Sequence, residues 1–150
     1  MQRAERSIRV RAPVEQVYQF WRNFENFPQF MEHVQEVRRS QTDPSVSHWK
    51  ISGPLGTSVE FDARMTRDEP NRLIGWNSIG GDLETSGEVT FTDLVENTAV
   101  HVVLQWWDPP GGKAGEIASR LFQNPERMLE EDLRRFKDVV ERRVGSGLRQ

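Results

Sequence analysis

The chain has 150 residues, enough for one domain that buries roughly two thirds of its unfolded surface without staples. It has no cysteine, which excludes disulfides, thiolate chemistry and cysteine-ligated zinc. The net charge is -3 with both signs interspersed, which argues against a nucleic-acid binder driven by a basic surface.

The first residues, MQRAERSIRV, hold no apolar run fit for a signal peptide, and no segment approaches ~18 apolar residues. We therefore expect a cytoplasmic protein without stable membrane insertion. ERSIRVR, residues 5–11, alternates polar and apolar as a half-buried strand does. Pro13 and Glu15 then suit a first helical turn, and Val14, Val17, Tyr18 and Trp21 recur at helical spacing. Asn23 marks a break, and a second short helix is expected over Phe24 to Met31. Pro28 fits there only in a first turn or at a kink. Phe20, Trp21, Phe24, Phe27 and Phe30 fall in this stretch, five of the fourteen aromatic residues in the chain.

From residue 34 the period changes to two. VQEVRRSQT, SVSHWKIS, TSVEFDARMT, RLIGWNSI, SGEVTFTDLV and NTAVHVVLQWW read as six strands. They are separated by Asp43-Pro44, Gly53-Pro54-Leu55-Gly56, Glu69-Pro70-Asn71, Gly80-Gly81-Asp82 and Glu96-Asn97, turn residues at hairpin spacing. Short consecutive connections imply an antiparallel meander. After WDPPGG, the segments GEIASRLFQ and PERMLEEDLRRFKDVVERRV are expected to be helical, with Asn124-Pro125 either capping a new helix or kinking a single one. Leu129, Leu133, Phe136, Val140 and Val144 form an apolar stripe, and Glu130/Arg134, Glu131/Arg135 and Asp138/Arg142 are favourable pairs on the wet side. Residues 145–150 are expected to fray. The whole is read as one domain.

The order is thus one strand, two short helices, six strands and a long helix. A seven-stranded antiparallel sheet cannot leave its apolar face bare, and the C-terminal helix is the element able to cover it. The expected architecture is α+β: a curved antiparallel sheet of about seven strands wrapped around a long C-terminal helix, with two short helices after the first strand.

The element order, together with APVEQVYQFWRNFENFPQFM, RLIGWNSIGGDLETSGEVTF, WDPPGG and EEDLRRFKDVVE, resembles the START/Bet v 1-like (SRPBCC) superfamily and its helix-grip fold. Within it the chain is most similar to bacterial polyketide cyclase/dehydrase-like and Coq10-like proteins. The resemblance implies an internal apolar cavity. By position, Phe20, Phe24, Phe27, Phe30 and Met31 would line it from the short helices, and Leu121 and Phe122 from the C-terminal helix, with Ile117, Leu129 and Leu133 as further contributors. Alternation along the strands adds Trp49 with Ile51, Phe61 with Met65, Ile74 with Trp76, Val89 with Phe91, and Leu104 with Trp106. A bulge would flip part of this phase.

Chemistry-bearing residues are sparse in that interior. His33, His48 and His101 lie outside any i, i+3 or i+4 spacing from one another, and satisfied or outward histidines are expected rather than metal ligands. Glu60 and Asp62 share a strand face, but Val59, Phe61, Ala63 and Met65 make the better core face, so the two acids should meet water. Ser78 and Asp93 are the inward-phase polar candidates, and Arg22 and Glu32 flank the short helices. There is no nucleophile elbow, phosphate-cradling loop or dinucleotide fingerprint. The expected function is binding or carrying a hydrophobic small molecule, such as a lipid, an isoprenoid quinone or a polyketide-like compound, without catalytic residues, cofactor or metal. The alternatives are a polyketide aromatase/cyclase or dehydratase, and a protein-interaction module with a filled interior.

Overall fold

The computed structural model describes residues 2–53, 56–107 and 124–148, with side chains to residue 144. Seven strands form one antiparallel sheet: β1 (Gln2–Val10), β2 (Val34–Arg39), β3 (Val46–Ser52), β4 (Ser58–Glu69), β5 (Leu73–Gly81), β6 (Thr85–Asp93) and β7 (Thr98–Trp106). Their spatial order is β1-β7-β6-β5-β4-β3-β2, so the meander runs from β2 to β7 and β1 closes beside β7. Helix α1 spans Val14–Arg22, a 3-10 helix spans Phe24–Gln29, and helix α2 spans Pro125–Leu148.

The local reasons match the expected elements. Asn23 leaves the helical region at φ -83° and ψ 91°, and its Oδ1 accepts from the Glu25 backbone N–H at 3.3 Å, ending α1 and opening the 3-10 helix. That short helix accommodates Pro28 because a missing N–H removes only one weak i→i+3 bond. Met31 lies beyond it, with its N–H donating to Phe27 O at 2.8 Å. Of the two readings of Asn124-Pro125, the structure takes the cap: α2 starts at Pro125, and Asn124 Oδ1 accepts from Arg127 N at 3.4 Å. The expected helical segment before it, with Ile117, Leu121 and Phe122, lies outside the described residues.

Leu129, Leu133, Phe136, Val140 and Val144 are all buried, so the stripe turns onto the sheet as its spacing requires. On the wet side Arg134 meets Glu130 at 3.0 Å, but Glu131 pairs back to Arg127 at 3.3 Å. Arg135 instead turns toward the short helices, donating to Phe30 O at 3.0 Å and to Asp132, because a backbone carbonyl and a buried carboxylate hold it better than an exposed glutamate.

A closed set of rings ties the layers together. Trp21 lies 5.0 Å from Phe136 and 5.4 Å from Phe27, while Phe27 lies 5.1 Å from Trp49 and 6.1 Å from Trp76. Helix α2, the short helices and the sheet therefore share one aromatic core. Trp76, placed inside the grip by alternation with Ile74, is 4% exposed. Its indole lies where a Cβ on Gly87 of the neighbouring strand would stand, so position 87 must be glycine for Trp76 to lie flat on β6.

Trp76→Ala should destabilise the fold by about 3–5 kcal/mol in chemical denaturation. Gly87→Ala, which evicts the ring rather than removing it, should cost about 1–3 kcal/mol. An unchanged unfolding midpoint in either variant would contradict this packing.

Candidate functional site

A cavity of about 90 Å³ lies between the concave face of the sheet and α2. Its floor comes from inward positions on four strands: Trp49 and Ile51 on β3, Phe61 on β4, Trp76 on β5, and Leu104 and Trp106 on β7. Val34, Leu83 and Thr85 complete the strand side. Met31 and His33 approach from the segment after the 3-10 helix, and Met128 and Asp132 from α2. Three of the floor rings lie nearly parallel, Trp49 stacked with both Phe61 and Trp76. Trp49 and Phe61 are 5.5 Å apart at 19°, and Trp49 and Trp76 are 6.5 Å apart at 17°. Such a floor favours stacking with a flat apolar guest.

Of the lining residues singled out from the sequence, Met31, Trp49, Ile51, Phe61, Trp76, Leu104 and Trp106 meet on this wall. Phe27 and Phe30, at 0% and 1% exposure, are enclosed by other rings and stand behind the wall. Phe20 packs on Phe136 and carries the Arg143 guanidinium 5.1 Å over its ring, on the far side of α1. Phe91 is buried against Tyr18 at 5.9 Å. Phe24 and Met65 border a different, outward cleft. Met65 does face the same side as Trp76, its register partner, but the pairing shifts between Met65 and Arg67, and this end of β4 runs past the 3-10 helix. Leu121 and Phe122 lie outside the described residues.

The polar candidates resolve differently. His48 lies on the outer face between Glu60 and Asp62, with Nε2 2.9 Å from Glu60 Oε1 and Nδ1 2.7 Å from Asp62 Oδ1. These bonds, Glu60 first, raise the His48 pKa, and the two acids meet solvent as expected. Asp93 is an exposed turn group accepting from Val95 N at 2.8 Å, and Ser78 Oγ accepts from Thr85 N at 3.0 Å. Arg22 bonds Asp68 at 2.8 Å, and Glu32 stands 3.8 Å from Arg135.

Sequence reasoning missed Asp132. This carboxylate is 6% exposed and lines the cavity. Its Oδ1 accepts from the Glu32 backbone N–H at 3.3 Å and from Arg135. Burial pushes its pKa up, opposed by the Glu32 and Arg135 bonds and by the nearby His33. A signal for it existed: position 132 is three residues after Leu129 and four before Phe136, on the buried side of α2.

Outside the 3-10 helix a second, wider cleft of about 540 Å³ opens, bordered by Arg22, Phe24, Arg39, Met65, Arg67 and Asp68. Tyr18 OH donates to Asp68 at its inner edge. Its guanidinium and carboxylate groups alternate, giving it no net sign.

Residues 10–134 match the polyketide cyclase / dehydrase and lipid transport family. A 17.2 kDa protein of Streptomyces lincolnensis from the melC2-rnhH intergenic region is 35% identical over 143 residues, covering 95% of this chain and 92% of that protein. The crystal structure of DR_A0006 from Deinococcus radiodurans superposes with a TM-score of 0.74 at 32% identity, covering 94% of this chain and 98% of that one. The Zhui aromatase/cyclase from Streptomyces sp. R1128 superposes with a TM-score of 0.76 at 19% identity, covering 95% of each chain, a likeness of fold alone. The chain belongs to the polyketide cyclase / dehydrase and lipid transport family, within the START/SRPBCC superfamily.

Tyr18 is the single tyrosine, so its ionisation can be read directly. Burial, then the bond to Asp68, raises its pKa to about 12 from the usual 10.0. The neutral phenol is the form the fold favours, so its contribution is complete below the unfolded value, ~10, and is lost as pH rises through the folded one. Phenolate absorbance should therefore titrate late in the native protein. Asp68→Asn should move the midpoint down; an unmoved midpoint would contradict the Tyr18–Asp68 contact.

Proposed function

We propose that this protein binds a hydrophobic small molecule, a lipid, an isoprenoid quinone or a polyketide-like aromatic compound, in the cavity between sheet and α2, and holds it by burial without making or breaking bonds. The observation that carries this reading is the wall itself: Trp49, Phe61 and Trp76 offer parallel ring planes, closed by Met31, Leu104 and Trp106. Each buried methylene contributes ~0.8 kcal/mol, so such a wall needs no special group to retain an apolar guest. At about 90 Å³ the space takes a ring or a few methylenes as it stands. Pockets for larger ligands run to roughly 300–1,000 Å³, so a long chain enters only as wall side chains move. Met31 and Met128, unbranched and adaptable, are the side chains suited to that movement.

A second reading, an aromatase/cyclase or dehydratase, is favoured by one feature: Asp132 and His33 reach the same wall, an acid and a base beside an apolar guest. Turnover of a linear poly-β-keto substrate, abolished by Asp132→Ala with the fold intact, would establish it in place of simple binding.

Native mass spectrometry of the purified protein should find a co-purifying apolar molecule, or the protein should take up a neutral apolar fluorophore. Leu104→Trp, which fills the cavity, should weaken that uptake at least roughly tenfold while leaving the thermal midpoint nearly unchanged. Uptake undiminished in the filled variant would place binding elsewhere.

A further inference from the structure

We propose that Asp132 is the polar anchor of the cavity, selecting apolar ligands that end in a hydrogen-bond donor, a hydroxyl or an amine, over ligands that end in a carboxylate. This rests on the cavity-binding reading above. Among the described residues that line the cavity, Asp132 is the acid, His33 the base and Thr85 the hydroxyl. Thr85 is already committed, its Oγ1 donating to Gln105 O at 2.8 Å.

Asp132 is different. Both of its hydrogen bonds, from Glu32 N and from Arg135, fall on Oδ1. Oδ2 takes none among the described residues. An ionised carboxylate has about four acceptor sites and no donor. Fastening the Glu32 segment to α2 therefore occupies one oxygen and leaves the other available on a wall that is otherwise almost wholly apolar. A buried acceptor without a partner is costly, and a ligand hydroxyl or ammonium removes that cost. A ligand carboxylate does the reverse, bringing a second acceptor and a second negative charge against Asp132. Arg135 is drawn to Oδ1 and to Phe30 O, and it stands outside the lining, which leaves His33 as the basic group among the described lining residues to offset the repulsion.

The test uses the full chain and three molecules on one ring: benzene, phenol and benzoate, each titrated by calorimetry. Phenol should bind at least roughly tenfold tighter than benzene, the scale of one hydrogen bond to a charged acceptor. Benzoate should bind weakest. In Asp132→Asn, which keeps a side-chain oxygen for Glu32 N and removes the charge, benzoate should gain at least roughly tenfold. That gain distinguishes an anchor from general dislike of charge in an apolar space, which the variant leaves unchanged. Equal affinities for phenol and benzene, or benzoate affinity unmoved by Asp132→Asn, overturn the anchor while leaving cavity binding standing. If none of the three binds the unaltered protein, the cavity reading itself fails and the anchor with it. Should the variant not fold, the ranking on the unaltered protein decides: benzoate at or above phenol overturns the proposal.

Discussion

The aromatic core of this molecule centres on the contact between Trp21 and Phe136, an edge-to-face pair with centroids 5.0 Å apart at 70°. It joins α1 to α2, and α2 is the element that covers the sheet. Through Phe27 and Phe30 the same cluster reaches Trp49 and Trp76 on the sheet floor. A curled antiparallel sheet and a single amphipathic helix meet along a narrow seam. Large rings from two short helices fill the gap at one end, where aliphatic side chains would leave voids.

The same device sets where empty space can remain. The aromatic cluster fills the end of the grip nearest α1, so the cavity is displaced toward Leu83, Thr85 and Trp106. Its walls are therefore built from strand positions that share faces with the core but lie further along the strands. Phe27 and Phe30 act on the cavity indirectly, by holding Met31 and His33 at its edge. Asp132 and Arg135 fasten that edge to α2, so one charged pair both closes the interior and brings a carboxylate into it.

The fold itself does not choose among activities. Within this family the backbone frame is compatible with carrying a ligand or with transforming one, and the difference lies in the few polar atoms on the wall. Among the described residues that line the cavity, such atoms include those of an aspartate, a histidine and a committed threonine. The outer cleft beside Arg22 and Asp68 is larger and balanced in charge.

The sequence by itself determined the element order, the antiparallel meander and the faces of the strands. Period-2 runs broken by turn residues, and the stripe Leu129, Leu133, Phe136, Val140 and Val144, are local patterns that hydrophobic burial obeys directly. It also marked seven of the residues that meet on the cavity wall. Alternation, however, reports which face a side chain takes and says nothing of how far along the grip it stands. So Trp76 and Met65, register partners on one face, end in different spaces, and Phe27 could not be told from Met31. Asp132 carried only the weak signal of its place between Leu129 and Phe136 on the buried side of α2. Only the tertiary structure decided that this turn of α2 passes the end of the 3-10 helix, because that approach depends on the Trp21–Phe136 packing, a contact between residues far apart in the chain.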